Sequence, residues 1–410
     1  MKTVRDIDIA NKTVILRADY NVPLHDGEIA DDYRIKQSLP TLHYLLERAE
    51  SVVIISHLGR PDGERNMEYS LQPVAKHLEG LLGESVAFAS QIDEVDSGEY
   101  KLTLLENLRF WPGEESNSDD LGQQLATLGD VLVQDGFGVV HRAHASTEAI
   151  THHLPSVAGL LLEKEINHIT QAMENPKRPL VAIFGGAKIS DKIQVIEQFV
   201  ERADSILIGG AMANTFLNYQ GYDVGKSNYE SGQEKVIEDL LHKIIHKEDS
   251  KDSACSVCDD LRAEGELLGT QHTIELPKDV AVAKDVDETE RRTVVYPEEV
   301  KSDEYILDIG PETIKQFQSI IEKAGTVIWN GPLGLTELPA FAEGSNHIAG
   351  TLKEKQETIT SIIGGGDTAG FIVQWDLNDG DSFTHVSTGG GAALDLMAGK
   401  DLPGVSALDT

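Results

Sequence analysis

The sequence predicts an α/β protein of two doubly wound, Rossmann-like parallel-sheet domains joined by a connecting helix and hinge, and three observations lead there. Short β-branched runs alternate with amphipathic helix patterns along the chain, the order that builds parallel sheets. The chain has 410 residues, 40% of them hydrophobic, which is too long for one comfortable core and apolar enough for two. A helical pattern over residues 159–174 runs into Asn175-Pro176-Lys177-Arg178-Pro179, whose prolines stop it and mark a junction. The expected division is a first lobe over 1–160, a connecting helix and hinge over 161–177, and a second lobe over 178–393.

Strand candidates are 14–20, 52–57, 102–106 and 131–135 in the first half. In the second half they are 180–184, 205–208, 327–329, 361–363 and 383–386. Helix patterns between them include 39–49, 74–82, 195–201 and 236–245. Each strand candidate ends in polar sequence bearing Arg, His or Gly, and open parallel sheets bind ligands beyond the carboxyl ends of their strands.

The stretch 181–193, VAIFGGAKISDKI, organises the second half. An apolar run breaks at Gly185-Gly186 and continues into a helix-like segment. Free backbone amides at a helix start suit an anion. Lys188 and Lys192 are four apart, so on a helix they share a face and reach one phosphate. An isolated GGxK is more often an ordinary turn with two solvated lysines; here the flanking turns change the balance. Downstream come Gly209-Gly210-Ala211, Asn330-Gly331-Pro332, Gly364-Gly365-Gly366-Asp367-Thr368 and Ser387-Thr388-Gly389-Gly390-Gly391. Glycine lets backbone approach a ligand closely, and Asp367 can meet a magnesium ion carried on nucleotide phosphates. Two decoys are set aside. GYDVGKS at 221–227 is one residue short of a P-loop and lacks its strand. Gly364-x-Gly366-x-x-Ala369 fits a dinucleotide fingerprint whose expected acid is missing.

The first half carries four charged turns. These are Asp19-Tyr20-Asn21-Val22-Pro23 followed by Arg34, Ser56-His57-Leu58-Gly59-Arg60-Pro61, Glu106-Asn107-Leu108-Arg109-Phe110, and His141-Arg142-Ala143-His144. Arginine offers a planar fork that grips carboxylate or phosphate with two bonds. Several of them converging, with His, Asn and Asp to orient hydroxyls, describe a pocket for a small polyanion. The plainer alternative is separate surface arginines paired with abundant Asp and Glu.

The formal net charge of −34 argues against nucleic acid as a partner, since phosphate-backbone binding needs a basic footprint. No apolar run approaches a membrane span, and MKTVRDIDIA lacks a signal-peptide core, so no membrane partner and a cytoplasmic location are expected. Excess carboxylate repels itself in dilute buffer, which points to a salt-adapted, halophilic protein. His242 and His246, with Cys255 and Cys258, have ligand types and spacings that suit a structural zinc. Two surface histidines and two reduced thiols in an acidic insertion, 247–270, are the simpler alternative.

Taken together the stretches RADYNVPL, DDYRIKQSLP, SHLGRPDG, ENLRF, HRAHAST, GGAKISDKI, LIGGAMANTF, LDIGPET, WNGPLG, GGGDTAG and HVSTGGGAALDLMAGKDLPGV closely resemble the phosphoglycerate kinase family, in its order from end to end except around 247–270. The resemblance implies phosphoryl transfer between 1,3-bisphosphoglycerate with ADP and 3-phosphoglycerate with ATP, with Mg²⁺. It assigns phosphoglycerate binding in the first lobe to Asp19, Asn21, Arg34, His57, Leu58, Gly59, Arg60, Arg109 and Arg142. For the nucleotide in the second lobe it implies Lys192, Gly209, Gly331, Glu337, Gly365, Gly366, Asp367 and Thr368, with Asp367 on the metal. Arg34, Lys188, Lys192, Gly366, Gly389 and Gly390 are the expected catalytic set, and a C-terminal tail, 394–410, is expected to return to the first lobe of a monomer. The family offers no support for zinc. Tyr20 in place of Phe, Gly136-Phe137-Gly138-Val139-Val140 in place of AFGTA, and Thr336 in place of Phe depart from the family pattern without removing a charge.

Two other readings compete. A NAD-dependent dehydrogenase explains neither the arginine turns nor the lysines, and a non-catalytic nucleotide-binding protein does not account for the full set of charged positions. The charge imbalance yields the first prediction: the melting temperature should rise from dilute buffer into molar KCl as salt screens the carboxylates, and a flat or falling curve would refute salt adaptation.

Overall fold

The computed structural model describes residues 1–95, 100–245, 273–287 and 291–409. These divide into two compact units, Met1–Asn167 with Thr388–Leu396 and Lys400–Thr410, and His168–Ser387 with Met397–Gly399.

In the first unit the strands are β1 (Thr13–Arg17), a short hairpin β2 (Leu24–His25) and β3 (Glu28–Ile29), β4 (Ser51–Ile55), β5 (Ala87–Ala89), β6 (Leu102–Leu105), β7 (Val131–Gln134) and β8 (Ser156–Ala158). Six form one sheet in the order β5-β6-β4-β1-β7-β8, every pair parallel. The chain leaves β1 toward β4 on one side and later returns to β7 on the other, so β1 is the switch point. Alternate residues face opposite sides of a strand. Val14, Leu16, Val52 and Ile54 join one apolar cluster, while Ile15, Val53 and Ile55 join another. Burial on both faces is why these strands read as unbroken apolar runs. The helix expected at 39–49 begins earlier and spans Tyr33–Arg48, running through Pro40. Its buried Ile35, Leu42 and Leu45 hold it against the sheet at helical spacing, and Arg34 is thereby placed in its first turn.

The second unit repeats the plan. Its strands are β9 (Leu180–Phe184), β10 (Ser205–Ile208), β11 (Thr273–Glu275), β12 (Val280–Ala283), β13 (Thr293–Val295), β14 (Tyr305–Ile309), β15 (Thr326–Asn330), β16 (Thr360–Gly364) and β17 (His385–Val386). The main sheet runs β11-β10-β9-β15-β16-β17, all parallel, with its switch between β9 and β15. A small antiparallel sheet, β13-β12-β14, has no counterpart in the sequence reading. Short edge strands such as β5, β8 and β11 were missed too, because three residues carry too little periodicity. The hairpin turn at Asp26-Gly27, both with positive φ, follows the Asp-Gly preference of tight hairpins.

Phe199, on the helix Ile193–Arg202, is fully buried with its ring edge-on to Phe184 at 5.4 Å. Phe199→Ala should cost about 3–5 kcal/mol, read as a lower urea midpoint with an unchanged slope; a shift within error would mean that the helix packs elsewhere.

Candidate active site

Because β1, β4, β6 and β7 are parallel, the residues after them emerge at one end of the sheet. Asp19 and Asn21 follow β1, His57 to Arg60 follow β4, and Asn107 and Arg109 follow β6. Asn107 ties two of these turns together. Its Oδ1 accepts from the amides of Leu58 (3.1 Å) and Arg109 (3.0 Å), and its Nδ2 donates to the carbonyl of Leu58 (2.7 Å). Gly59 adopts φ +63°, donates to Asn21 Oδ1 at 2.9 Å and accepts from Arg109 Nη1 at 2.5 Å. Arg34 Nη1 donates to the Asn21 carbonyl (2.8 Å) and lies 3.4 Å from Asp19 Oδ2. Arg142 Nε donates to His141 Nε2 at 3.2 Å, and Arg60 is exposed. Asp19, Asn21, Arg34, Gly59 and Arg109 are thus linked by direct contacts, Leu58 joins them through Asn107, and His57 Nδ1 lies 4.0 Å from Asp19 Oδ1. A Cβ at Gly138 would fall 2.1 Å from Asp19 Oδ2, so any side chain there would displace the Asp19 carboxylate. Tyr20, another of the three departures, is fully buried and places its hydroxyl 3.1 Å from Ser38 Oγ.

Beneath this cluster lies Arg17, fully buried and absent from the sequence-derived list. Its Nε donates to Ser146 Oγ (2.8 Å), its Nη1 to the Ala18 carbonyl (2.5 Å), and its Nη2 is 3.2 Å from His57 Nδ1. Glu114, also fully buried, is 3.9 Å away and accepts from Ser146 N and Oγ. Burial pushes the Glu114 carboxyl up, yet His144 at 3.7 Å, the bonds from Ser146 and the Arg17 charge outweigh it and hold the group low. Burial, with Arg17, Arg109 and Arg34 around it, drives His57 well below its usual value, so its imidazole is neutral. A guanidinium only donates, so His57 Nδ1 accepts and the proton sits on Nε2. A charge closing an apolar strand was the available signal for Arg17; Glu114 had none. Gly389, also in this unit, packs so that a Cβ would meet the Phe137 ring at 2.5 Å. Gly390 begins the helix Gly390–Met397.

In the second unit glycine turns meet backbone to backbone. Gly331 has φ +100°, and a Cβ there would lie 2.2 Å from the Gly185 carbonyl and 2.5 Å from Lys192 Nζ. Gly185 N donates to Asn330 O and Gly186 N to Pro332 O. These amides are therefore consumed and do not offer the free anion cradle expected of them. Nor do Lys188 and Lys192 share a helical face. The helix starts at Ile193 with Lys192 as its N-cap, because the positive φ of Gly186 turns the chain and the Lys192 ammonium folds back to Gly185 O (2.6 Å) and Asn330 O (3.2 Å). Lys188 is exposed on the turn. Burial lowers Lys192 to about 8, with Asp367 and Asp191 pulling the other way. Gly209 caps the helix Gly210–Tyr219. Gly365, at φ +90°, caps Gly366–Trp375, whose first turn carries the exposed Asp367. Thr368 is fully buried, and its hydroxyl accepts from Gly331 N at 2.7 Å, so that oxygen ties two turns together while its O–H remains a donor.

Alongside these turns lies a cavity of about 300 Å³, walled by Val280, Leu307, Pro332, Leu333 and Leu335 and reached by Glu337 and Asp367. That is the size and mostly apolar character of a small-molecule pocket. Of the proposed zinc ligands, His242 lies on the helix Glu234–Ile245. His246, Cys255, Cys258 and the insertion 247–270 fall outside the described residues. Among the described residues no three His, Cys, Asp or Glu are arranged to hold a metal.

Against known proteins, the phosphoglycerate kinase family model matches residues 4–400. The chain belongs to the phosphoglycerate kinase family. It is 43% identical over 416 residues to the phosphoglycerate kinase of Pelotomaculum thermopropionicum, covering 99% of this chain and 98% of that one. It is equally 43% identical over 415 residues to that of Thermosipho africanus, covering 99% and 97%. The solved phosphoglycerate kinase of Coxiella burnetii superposes with a TM-score of 0.82 at 36% identity, over 99% of this chain and 98% of that one. That of Pyrococcus horikoshii gives 0.79 at 31%, over 100% and 98%. The chain is accordingly a phosphotransferase with a carboxylate acceptor, moving a phosphoryl group reversibly between ATP and 3-phosphoglycerate.

The Lys192 environment sets a pH prediction. Its folded value of about 8 lies below the ordinary 10.5, so between those values the unfolded chain holds the extra proton and stability gains as pH rises; below pH 8 the penalty is constant. Relative to Lys192→Met, the wild type should therefore gain on the order of 2–3 kcal/mol between pH 8 and 10 in urea unfolding. A constant difference between the two would contradict the burial of the ammonium.

Proposed function

We propose that the first unit binds 3-phosphoglycerate through Arg34, Arg60, Arg109 and Arg142, with Asp19, Asn21, His57 and the backbone of Leu58 and Gly59 orienting it. The observation that carries this is the hydrogen-bonded set from Asp19 to Arg109 around one end of the sheet. The second unit would hold the nucleotide, its base in the apolar cavity, Glu337 near the sugar and the start of Gly366–Trp375 toward the phosphates. With the Gly185 and Gly186 amides spent, the first amides of that helix and the Lys192 ammonium are the donors best suited to phosphate. Mg²⁺ is bound through few protein ligands and arrives on phosphates. A single exposed carboxylate, Asp367, fits that role, and the ion would neutralise phosphate charge.

Phosphoryl transfer asks the protein for position and charge neutralisation more than for covalent chemistry. The acceptor carboxylate is already ionised at neutral pH, and the neutral, Arg17-bonded His57 is a poor base, so no general base is invoked. Arg34 and Lys188 are assigned to the moving phosphoryl group, Lys192 to nucleotide phosphates, and the amides of Gly366, Gly389 and Gly390 to supporting roles. Transfer requires the two ligands to meet, so closure about a hinge within 161–177 belongs to the proposal, as does a cytoplasmic monomer without nucleic-acid or membrane partners.

Arg34→Met or Lys188→Ala should lower kcat at least about 100-fold with KM changed only severalfold. A rise in KM alone would reverse the assigned roles. Solution scattering should show a smaller radius of gyration with both ligands bound than with either alone; no change would remove closure.

A further inference from the structure

The walls of the second unit's cavity are largely apolar, and of the polar residues there that the chemistry above does not use, Asn214, Asn228, Tyr305 and Asp308, one carries a buried side-chain atom without a hydrogen-bond partner. Asn214, on the helix Gly210–Tyr219, lines the cavity and is 1% exposed. Its Nδ2 donates to the Asn228 carbonyl at 3.1 Å, which fixes which way the amide faces. Its Oδ1 has no hydrogen-bond partner. A buried acceptor left unpaired is costly and rare in folded proteins, and a site built to receive a donor strongly rejects an analogue lacking it.

We propose that Asn214 Oδ1 is a specificity-determining acceptor for the exocyclic amino group of the nucleotide base, so that the site prefers a 6-amino purine over a 6-oxo purine. This rests on the reading of the cavity as the base pocket. An adenine amino group donates to the waiting oxygen; a hypoxanthine or guanine carbonyl sets a second lone pair against it and leaves both unpaired. The acceptor thus carries a burden in the free protein that the right base relieves, and an apolar residue of similar volume would remove the discrimination along with the bond to Asn228.

Titration calorimetry of the full chain with ADP and with inosine diphosphate tests this. Wild type should bind ADP about tenfold more tightly, and equal affinities would overturn the proposal without any variant. Asn214→Leu should bring the ratio close to one, chiefly by weakening ADP, in a protein that still folds although it gives up the bond to the Asn228 carbonyl. An unchanged ratio in a folded Asn214→Leu protein would also overturn it. Ala211→Trp separates this from the underlying reading, since Ala211 lines the same cavity. If the bulky ring leaves ADP binding intact, the base lies elsewhere and both ideas fail. If it abolishes ADP binding while Asn214→Leu keeps the wild-type ratio, the pocket stands and the role of Asn214 falls.

Discussion

A full positive charge buried at the end of β1 governs the first site. Arg17 is enclosed, and such a charge is tolerable only when its donors are satisfied and a counter-charge is close. Ser146, the Ala18 carbonyl and His57 take its donors, and Glu114 supplies the opposing charge. This arrangement keeps His57 in one neutral tautomer and anchors the floor on which Asp19 and Arg34 meet. Replacing one partner alone would strand the other, so the network holds together or fails together.

The second site relies on a different economy, closeness of backbone. Gly185, Gly210 and Gly331 sit where any side chain would collide with a neighbouring carbonyl or amide. The consequence is that the turns after β9 and β15 bond to each other, with Lys192 clasped between them, while the helix starts further along the sheet keep their first amides.

Much of this was legible in the sequence. All nine strand candidates correspond to strands, because residues buried on two faces leave apolar runs that no surface element mimics. The charged turns after β1, β4 and β6 were found because a parallel sheet delivers its strand ends to one side. What escaped was set by distance along the chain. Glu114 reaches Arg17 across nearly a hundred residues, and nothing local marks it. The helix inferred for Lys188 and Lys192 failed for a related reason. Their spacing suited a helix, but two carbonyls supplied by other turns offered the Lys192 ammonium a better partner. Asn214 carries no local signal, because only the walls that close around it leave its oxygen buried without a partner.

The first unit is discontinuous. Its concluding helix, Pro403–Ser406, lays Gly404 within 3.1 Å of Val140 by the Cβ it lacks and donates its amide to the Val140 carbonyl, next to the turn that bears His141 and Arg142. Removing the residues from Pro403 onward would therefore take away the amide donated to the Val140 carbonyl and uncover the backbone beside His141 and Arg142, so a truncation far along the chain would be felt in the arginine-lined half.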